Sequence, residues 1–244
     1  MSLISVLING SRGRMGQESV KAITEDQELD LVAQTDLGDN LSDTIRQVKA
    51  QVVVDFTTAA VVMENAVTII ESGARPVIGT SGLLPEQVGN LQELCNKHNN
   101  GGVIVPNFAV GAVLMMKYAQ DAAKYFPNAE VIELHHDDKA DAPSGTAIKT
   151  ANLLTGSSKS IQKKIDEKEI LHGARGAKSQ NVRIHSVRLP GLVAHQEVIF
   201  GGQSQTLKIR HDSIHRDSFM PGVCLACKKV IHLKELVYGL EHLL

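Results

Sequence analysis

The sequence predicts an α/β protein: an N-terminal, Rossmann-type doubly wound parallel sheet, then a central α+β block. Three observations carry that reading. Short β-branched runs alternate with helical patterns from Leu3 to Val105. Several of those runs are apolar on both faces, as strands covered by helices on either side must be. A glycine-spaced loop joins the first run to the first helical pattern.

Taken in order, Leu3 to Ile8 is an apolar run that stops at Asn9-Gly10. Gln17 to Thr24 reads as a helix, Leu29 to Gln34 as a strand and Leu41 to Val48 as a helix. Gln51 to Phe56 is a strand without a polar face. Ala59 to Ser72 has helical periodicity and ends at Gly73. Arg75 to Ile78 is a strand closed by Gly79, Pro85 to Asn96 a helix opened by proline, and Gly102 to Val105 a strand. After Pro106 the pattern changes. Ala109 to Phe126 reads as one long helix, Ala129 to His135 as a strand and Ser144 to Leu154 as a helix. Ser157 to Lys178 is polar and loop-rich, with Lys163-Lys164 and Glu167 to Glu169 as solvated charge. Val182 to Leu189, Glu197 to Gly201 and Gln205 to Arg210 are strands between glycine-rich turns, in an antiparallel or mixed sheet. From Ser218 to Leu244 the chain reads as helix again. The expected division is 1–106, completed by 217–244, and 107–216.

Composition narrows the function. Of 244 residues, 43% are hydrophobic and 21% charged, an ordinary globular balance. Lys and Arg number 25 against 27 Asp and Glu, so no strong field recruits nucleic acid or an anionic membrane. Aromatics are 3%, with no Trp, which disfavours a base-stacking surface. No apolar run is long enough to span a bilayer. The segment Met1 to Gly10 enters a strand directly and lacks the parts of a secretory signal. Three cysteines do not make a disulfide framework. These features lead us to expect a soluble cytoplasmic protein. Cys224-Leu225-Ala226-Cys227 and Cys95 lie in apolar helical stretches and read as packing. His211 and His215 read as residues of a loop or helix start, and His195 as part of a sheet.

The loop Gly10-Ser11-Arg12-Gly13-Arg14-Met15-Gly16 follows a strand and opens a helix. Glycine there permits a tight turn, close backbone approach to a pyrophosphate and tight helix packing. The spacing is G-x-x-G-x-x-G, a variant of the usual fingerprint. Asp36, twenty residues beyond Gly16 at the end of the second strand, suits an adenosine ribose. Leu37 stands where a basic side chain would meet a 2′-phosphate, so NADH is expected at least as readily as NADPH. Gly79-Thr80-Ser81-Gly82 and Pro106-Asn107-Phe108 end neighbouring strands and border the same crevice.

Glu133 to Ala147 concentrates acid–base groups where a strand meets a helix. Adjacent His135 and His136 on a strand point to opposite faces, which argues against a metal site. Ser144-Gly145-Thr146 opens a helix, a geometry that serves a cap and an anion site equally. Lys139 stands as a candidate acid or a surface lysine. At this level another nicotinamide oxidoreductase, or a nucleotide sensor without catalysis, also fits.

The segment E-L-H-H-D-D-K-A-D-A-P-S-G-T-A from Glu133 to Ala147 closely resembles the signature of the 4-hydroxy-tetrahydrodipicolinate reductases of bacterial lysine synthesis, also called dihydrodipicolinate reductases. The Gly10 to Gly16 loop, Val54 to Thr57, Ile78 to Gly82, Asn107 to Gly111 and Ile184 to Gly202 match in family order. Ser11 and Arg12 depart from the small residues common in the family's loop, and Ser218 to Gly222 matches more loosely. The resemblance implies NAD(P)H-dependent reduction of a dicarboxylate heterocycle, with loss of water, by a homotetramer. Residues 1–106 with 217–244 would bind dinucleotide, and 107–216 would bind substrate and assemble the tetramer. It implies proton transfer by His135 and Lys139. Substrate would be held by His136, with Gly145 and Thr146 on a carboxylate. Gly10, Ser11, Arg12, Gly13, Arg14, Met15, Asp36, Gly79, Thr80, Ser81, Val105, Pro106, Asn107 and Phe108 would line the cofactor site.

Overall fold

The computed structural model describes residues 3–157 and 168–244. Residues 1 and 2 and the charged residues Lys163, Lys164 and Glu167 lie outside this set. The chain forms two compact units, 1–110 with 216–244, and 111–215.

The first unit carries a six-stranded parallel sheet. Its strands are β1 (Ile4–Asn9), β2 (Leu29–Thr35), β3 (Val52–Asp55), β4 (Arg75–Ile78), β5 (Gly102–Ile104) and β11 (Leu236–Tyr238), in the order β11-β5-β4-β3-β1-β2. All four residues of β3 are buried, because the strand lies between β1 and β4 with helices over both faces. On one face Leu7, Val53, Ile78, Ile104 and Leu236 pack with Ile45 of α2 (Leu41–Val48), Ala66 and Ile69 of α3 (Val62–Glu71) and Leu91 and Cys95 of α4 (Pro85–Lys97). On the other, α1 (Arg14–Glu25) and α7 (Met220–Val230) pack on each other and on β1. Local signals set the helix starts. Asn40 accepts from the Asp43 N–H at the head of α2, and Gln87 Oε1 accepts from Leu84 N at the head of α4.

Three expectations are corrected here. Helix α1 begins at Arg14 rather than Gln17, because extended Gly13 serves as its N-cap. Helix α3 begins at Val62 rather than Ala59, because the N–H groups of Val61 and Val62 both turn back to Thr58 O. The chain after Ser218 is not one helix. A 3-10 turn (Arg216–Phe219) leads into α7, and then β11 adds a strand, with Leu236 opposite Gly102. Its three residues are too few to display a period. The open edge of β5 makes them a strand.

The second unit carries a mixed five-stranded sheet of order β10-β9-β6-β8-β7. It comprises β6 (Asn128–His135), β7 (Ala177–Ser179), β8 (Val182–Arg188), β9 (Ala194–Gly202) and β10 (Gln205–Ser213). Strands β6 and β8 are parallel, and the other pairs are antiparallel. One face buries Val131, Ile184, Val198 and Phe200 against Ala119 and Ala123 of the α5 region (α5, Val110–Ala122) and Ala147, Ala151 and Leu154 of α6 (Gly145–Ser157). His211 lies on β10, not in a loop, because β9 and β10 pair without a break from Gln205 to Ser213.

Candidate functional site

In the first unit the glycine loop is held from behind by the end of β2. The N–H groups of Gly10 and Ser11 donate to Thr35 O at 2.9 and 3.1 Å, and Arg12 N donates to Asp36 Oδ2 at 2.8 Å. Leu37 N donates to the other Asp36 oxygen, also at 2.8 Å. These amides hold the Asp36 carboxyl below the usual carboxylate range, the Arg12 amide most strongly. Asp36 therefore positions the loop as well as facing the cavity beside it. Gly10 has φ +81°, and a Cβ there would strike the carbonyl of Phe56. A Cβ on Gly16 would strike the carbonyl of Gly10. The loop thus brings backbone close to whatever occupies the cavity, and Arg14, Met15 and Gly16 form the first turn of α1.

That cavity has a volume of about 570 Å³ and is lined by Gly10, Gly13, Asp36, Phe56, Thr57 and Asn65, among others. It is large enough for much of a dinucleotide. The carboxylates of Asp36, Asp39 and Glu64 share it, and Leu37 is 94% exposed at its edge. Gly79, Thr80, Ser81 and Val105 to Phe108 are not among its lining residues. Thr80 instead donates to the buried Asp55 carboxylate at 2.6 Å. Phe108 packs edge-on against Phe56, with ring centroids 5.5 Å apart. Val105 is buried and bonded to Ile78 O, and Pro106 and Ser81 are exposed. Asn107 accepts from Ala109 N at the entry to α5.

In the second unit, β6 delivers Glu133 and His135 to one face of the strand, and the chain then turns at His136, whose carbonyl accepts from Lys139 N. His135 is joined through Nδ1 to Glu133 Oε2. Arg188, at the end of β8, donates Nη1 and Nη2 to the two Glu133 oxygens at 2.9 and 2.8 Å. Its other hydrogen bonds reach the carbonyls of Lys139, Asp141 and Val187, so one guanidinium braces the 139–141 turn. Lys139 Nζ is paired with Asp141 at 2.6 Å. Burial alone would raise the Glu133 carboxyl, but Arg188, Ser186 and His135 outweigh it and hold the group low. Burial pushes His135 down against the opposing pull of Glu133, with Lys139 and Arg188 adding to the fall.

Ser144 caps α6, with its hydroxyl accepting from Ala147 N at 3.2 Å. Gly145 and Thr146 form the first turn, with Gly145 exposed. The sequence alone points to His135, His136, Lys139, Gly145 and Thr146 and assigns no role to Glu133 or Arg188. It likewise passed over Asp55 and Asn65. The signal for both carboxylates lay in the matched blocks, where each stands between residues already singled out.

Residues 4–108 match the family model described as dihydrodipicolinate reductase, N-terminus, and residues 111–244 the one described as dihydrodipicolinate reductase, C-terminus. The chain is 50% identical over 260 residues to a 4-hydroxy-tetrahydrodipicolinate reductase of Listeria monocytogenes serotype 4b, covering 98% of this chain and 99% of that one. It is 50% identical over 239 residues to the enzyme of that name from Legionella pneumophila, covering 98% of each. Among solved structures, a dipicolinate-bound dihydrodipicolinate reductase from Paenisporosarcina superposes with a TM-score of 0.92 at 44% identity, covering 99% of this chain and 100% of the other. A glycine loop on a parallel sheet, a Glu-His-Arg cluster on a mixed one and end-to-end matches to both halves converge: the chain belongs to the dihydrodipicolinate reductase family.

Proposed function

We propose that the chain reduces 4-hydroxy-tetrahydrodipicolinate to tetrahydrodipicolinate, with loss of water, in the diaminopimelate route to lysine. The observation that carries the reading is the half-buried His135, hydrogen-bonded to Glu133, whose other oxygen accepts from the Ser144 amide at the head of α6, with Lys139 in the turn that follows. The residues fit a dinucleotide: glycines 10 and 16 leave no room for a Cβ, and Asp36 faces a cavity of sufficient size. Gly10 to Met15 and Asp36 hold it. Thr80, Val105 and Phe108 act from behind by fixing the neighbouring strand ends, and Gly79, Ser81, Pro106 and Asn107 border the site. The bound reduced nicotinamide supplies the hydride.

The chain supplies charge and protons. Lys139 and the first turn of α6 at Gly145 and Thr146 complement a substrate carboxylate, and His136 adds a further contact. His135 and Lys139 exchange protons with the reduced ring, a contribution of about a hundredfold to ten thousandfold. Three carboxylates at the cavity favour NADH over NADPH.

The second face of the mixed sheet supports tetramer assembly. Opposite its buried residues, the strand period places Ile132, Leu134, Val187 and Ile199, with ion pairs from Glu197 to Lys208 and Arg210 around them. No helix among the described residues is long and apolar enough to cross a membrane. We place the protein in the reducing cytoplasm, in keeping with free Cys95, Cys224 and Cys227, whose thiols burial pushes up.

The test is the reduced-nicotinamide absorbance band, with NADH and NADPH in parallel and substrate made in situ from pyruvate and aspartate semialdehyde. Substrate-dependent oxidation is expected, faster with NADH. No oxidation by folded, nucleotide-binding protein overturns the reading. Lys139→Ala is expected to lose about a hundredfold or more in turnover while still binding NADH, and near-normal turnover would remove its role. Light scattering that finds a monomer would overturn the tetramer.

A further inference from the structure

Glu133 is an ionisable side chain that the proposed chemistry does not use, and it is wholly buried. A bare carboxylate in that position is strongly disfavoured. It is kept by a full set of donors: two guanidinium N–H groups of Arg188, the Ser144 amide at 3.3 Å, the Ser186 hydroxyl and His135 Nδ1. With Arg188 neutralising it from β8, Glu133 stays an acceptor, so the ring nitrogen facing it must carry hydrogen. That fixes the neutral His135 ring in the Nδ1–H tautomer and leaves Nε2 as the nitrogen that exchanges protons.

We infer that Glu133 is a positioning residue for the reaction: it sets the tautomer and orientation of His135 and stabilises the imidazolium when Nε2 takes up a proton. The inference rests on the proton-transfer role proposed for His135. The geometry is that of a buried carboxylate behind a proton-exchanging histidine. Arg188 belongs to the same device, since it keeps the carboxylate charged and ties the 139–141 turn through two carbonyls. The charged groups facing the ring are Glu133 on its own strand, Arg188 from β8 and Lys139 from the following turn, itself paired with Asp141. Ala194, opposite on β9, and Ser144, at the head of α6, bring none.

Two measurements test this. In the wild-type protein without ligands, nitrogen-15 imidazole NMR should find neutral His135 protonated at Nδ1. A neutral ring protonated at Nε2 overturns the inference, whatever the enzyme's substrate. In Glu133→Gln the volume stays and the charge goes. There the His135 titration is expected to move to lower pH by about one unit or more, and the matching limb of the pH–kcat profile to move with it. Turnover is expected to fall about tenfold or more, with NADH affinity retained. A variant that loses turnover with both titrations unmoved has only a structural lesion, and that also overturns the inference. Glu133→Asp should recover part of the titration shift. His135→Ala separates the two readings. If it retains full turnover, the role proposed for His135 fails. If it loses turnover while Glu133→Gln behaves as wild type, only the present inference fails. Should Glu133→Gln not fold, the NMR of the wild type still decides.

Discussion

Asn9 Nδ2 donates to the Asp55 carboxylate at 2.8 Å, and this buried bond joins the carboxyl ends of β1 and β3 beside the cavity of the first unit. It is the centre of a wider network. Thr35 at the end of β2 donates to Asn9 Oδ1, Thr80 beyond β4 donates to Asp55 Oδ1, and Asn65 of α3 donates to Asp55 Oδ2. The Asp55 carboxylate thus ties the end of β3 to β1, to Thr80 beyond β4 and to α3, and Asn9 extends the network to the end of β2. Asp55→Asn turns one acceptor oxygen into a donor, so either the Asn9 and Asn65 amides on Oδ2 or the Thr57 N–H on Oδ1 loses its acceptor. Each orphaned buried donor costs about 1–3 kcal/mol. Chemical denaturation should show a loss of that order, and NADH titration a weakened affinity, because Asn9, Thr57 and Asn65 line the cavity. Unchanged stability would show that the network is not needed.

Gly16 and Gly13 should respond to alanine to different degrees. A Cβ on Gly16 meets the Gly10 carbonyl and comes within 2.8 Å of Ser11 Cα, backbone that cannot yield without opening the loop. Gly16→Ala should cost about 1–3 kcal/mol of stability. Gly13 has φ −68° and ψ 164°, open to any residue, and its nearest Cβ contact would be 3.3 Å away. Gly13→Ala should stay within about 1 kcal/mol of the parent yet weaken NADH binding, since the new methyl enters the cavity. Denaturation and NADH titration of both variants decide the matter. Equal effects on stability would contradict the loop geometry.

The parallel sheet was legible because its first five strands are short, mostly apolar runs, alternating with helical patterns, and β1, β4 and β5 stop at or near Gly or Pro. Strand β11 was not, since Leu236 to Tyr238 becomes a strand only through its pairing with β5. His211 was misplaced for a related reason: Arg210-His211-Asp212 is polar in sequence, yet β9 supplies a continuous partner. The glycine loop and the His135 to Thr146 segment stand out in the sequence as candidate chemistry, because few other constraints demand such residues together. Glu133 and Asp55 stood in view without a role. A carboxylate acquires one from the donors that converge on it, and Arg188, Asn9 and Thr80 converge only in three dimensions.

His211 makes stability sensitive to acid. Its ring is half-buried against Gly111, and burial pushes its pKa down despite the attraction of Asp212, with His195 adding to the fall. The depressed group binds a proton less readily in the folded state than in the unfolded chain, where a histidine titrates near pH 6.5. Stability from this residue is therefore full above that value and is lost as pH falls below it. His211→Gln should flatten the fall in urea midpoint between about pH 7 and pH 5. Parallel slopes for parent and variant would show that His211 titrates alike in both states.

The proposed preference for NADH is tested through the charges at the cavity. With the adenosine ribose on Asp36, as proposed, a 2′-phosphate would bring up to two negative charges into a cavity that Asp36, Asp39 and Glu64 line, with no cation at position 37. Asp36 does not escape by protonation near neutral pH, since the amides of Arg12 and Leu37 hold its carboxyl below the ordinary range. Arg12, exposed on the loop, is the cation that opposes this exclusion. Leu37→Arg should add a bidentate phosphate partner where Leu37 now stands exposed. One charge-assisted bond is worth about 1.4 kcal/mol or more, so the NADPH to NADH ratio of kcat/KM should rise about tenfold. Because NADH lacks the phosphate, its own kcat/KM should barely change. If NADPH gains nothing from the arginine, the 2′-position lies elsewhere than beside Asp36, and the carboxylates lining the cavity do not set the preference.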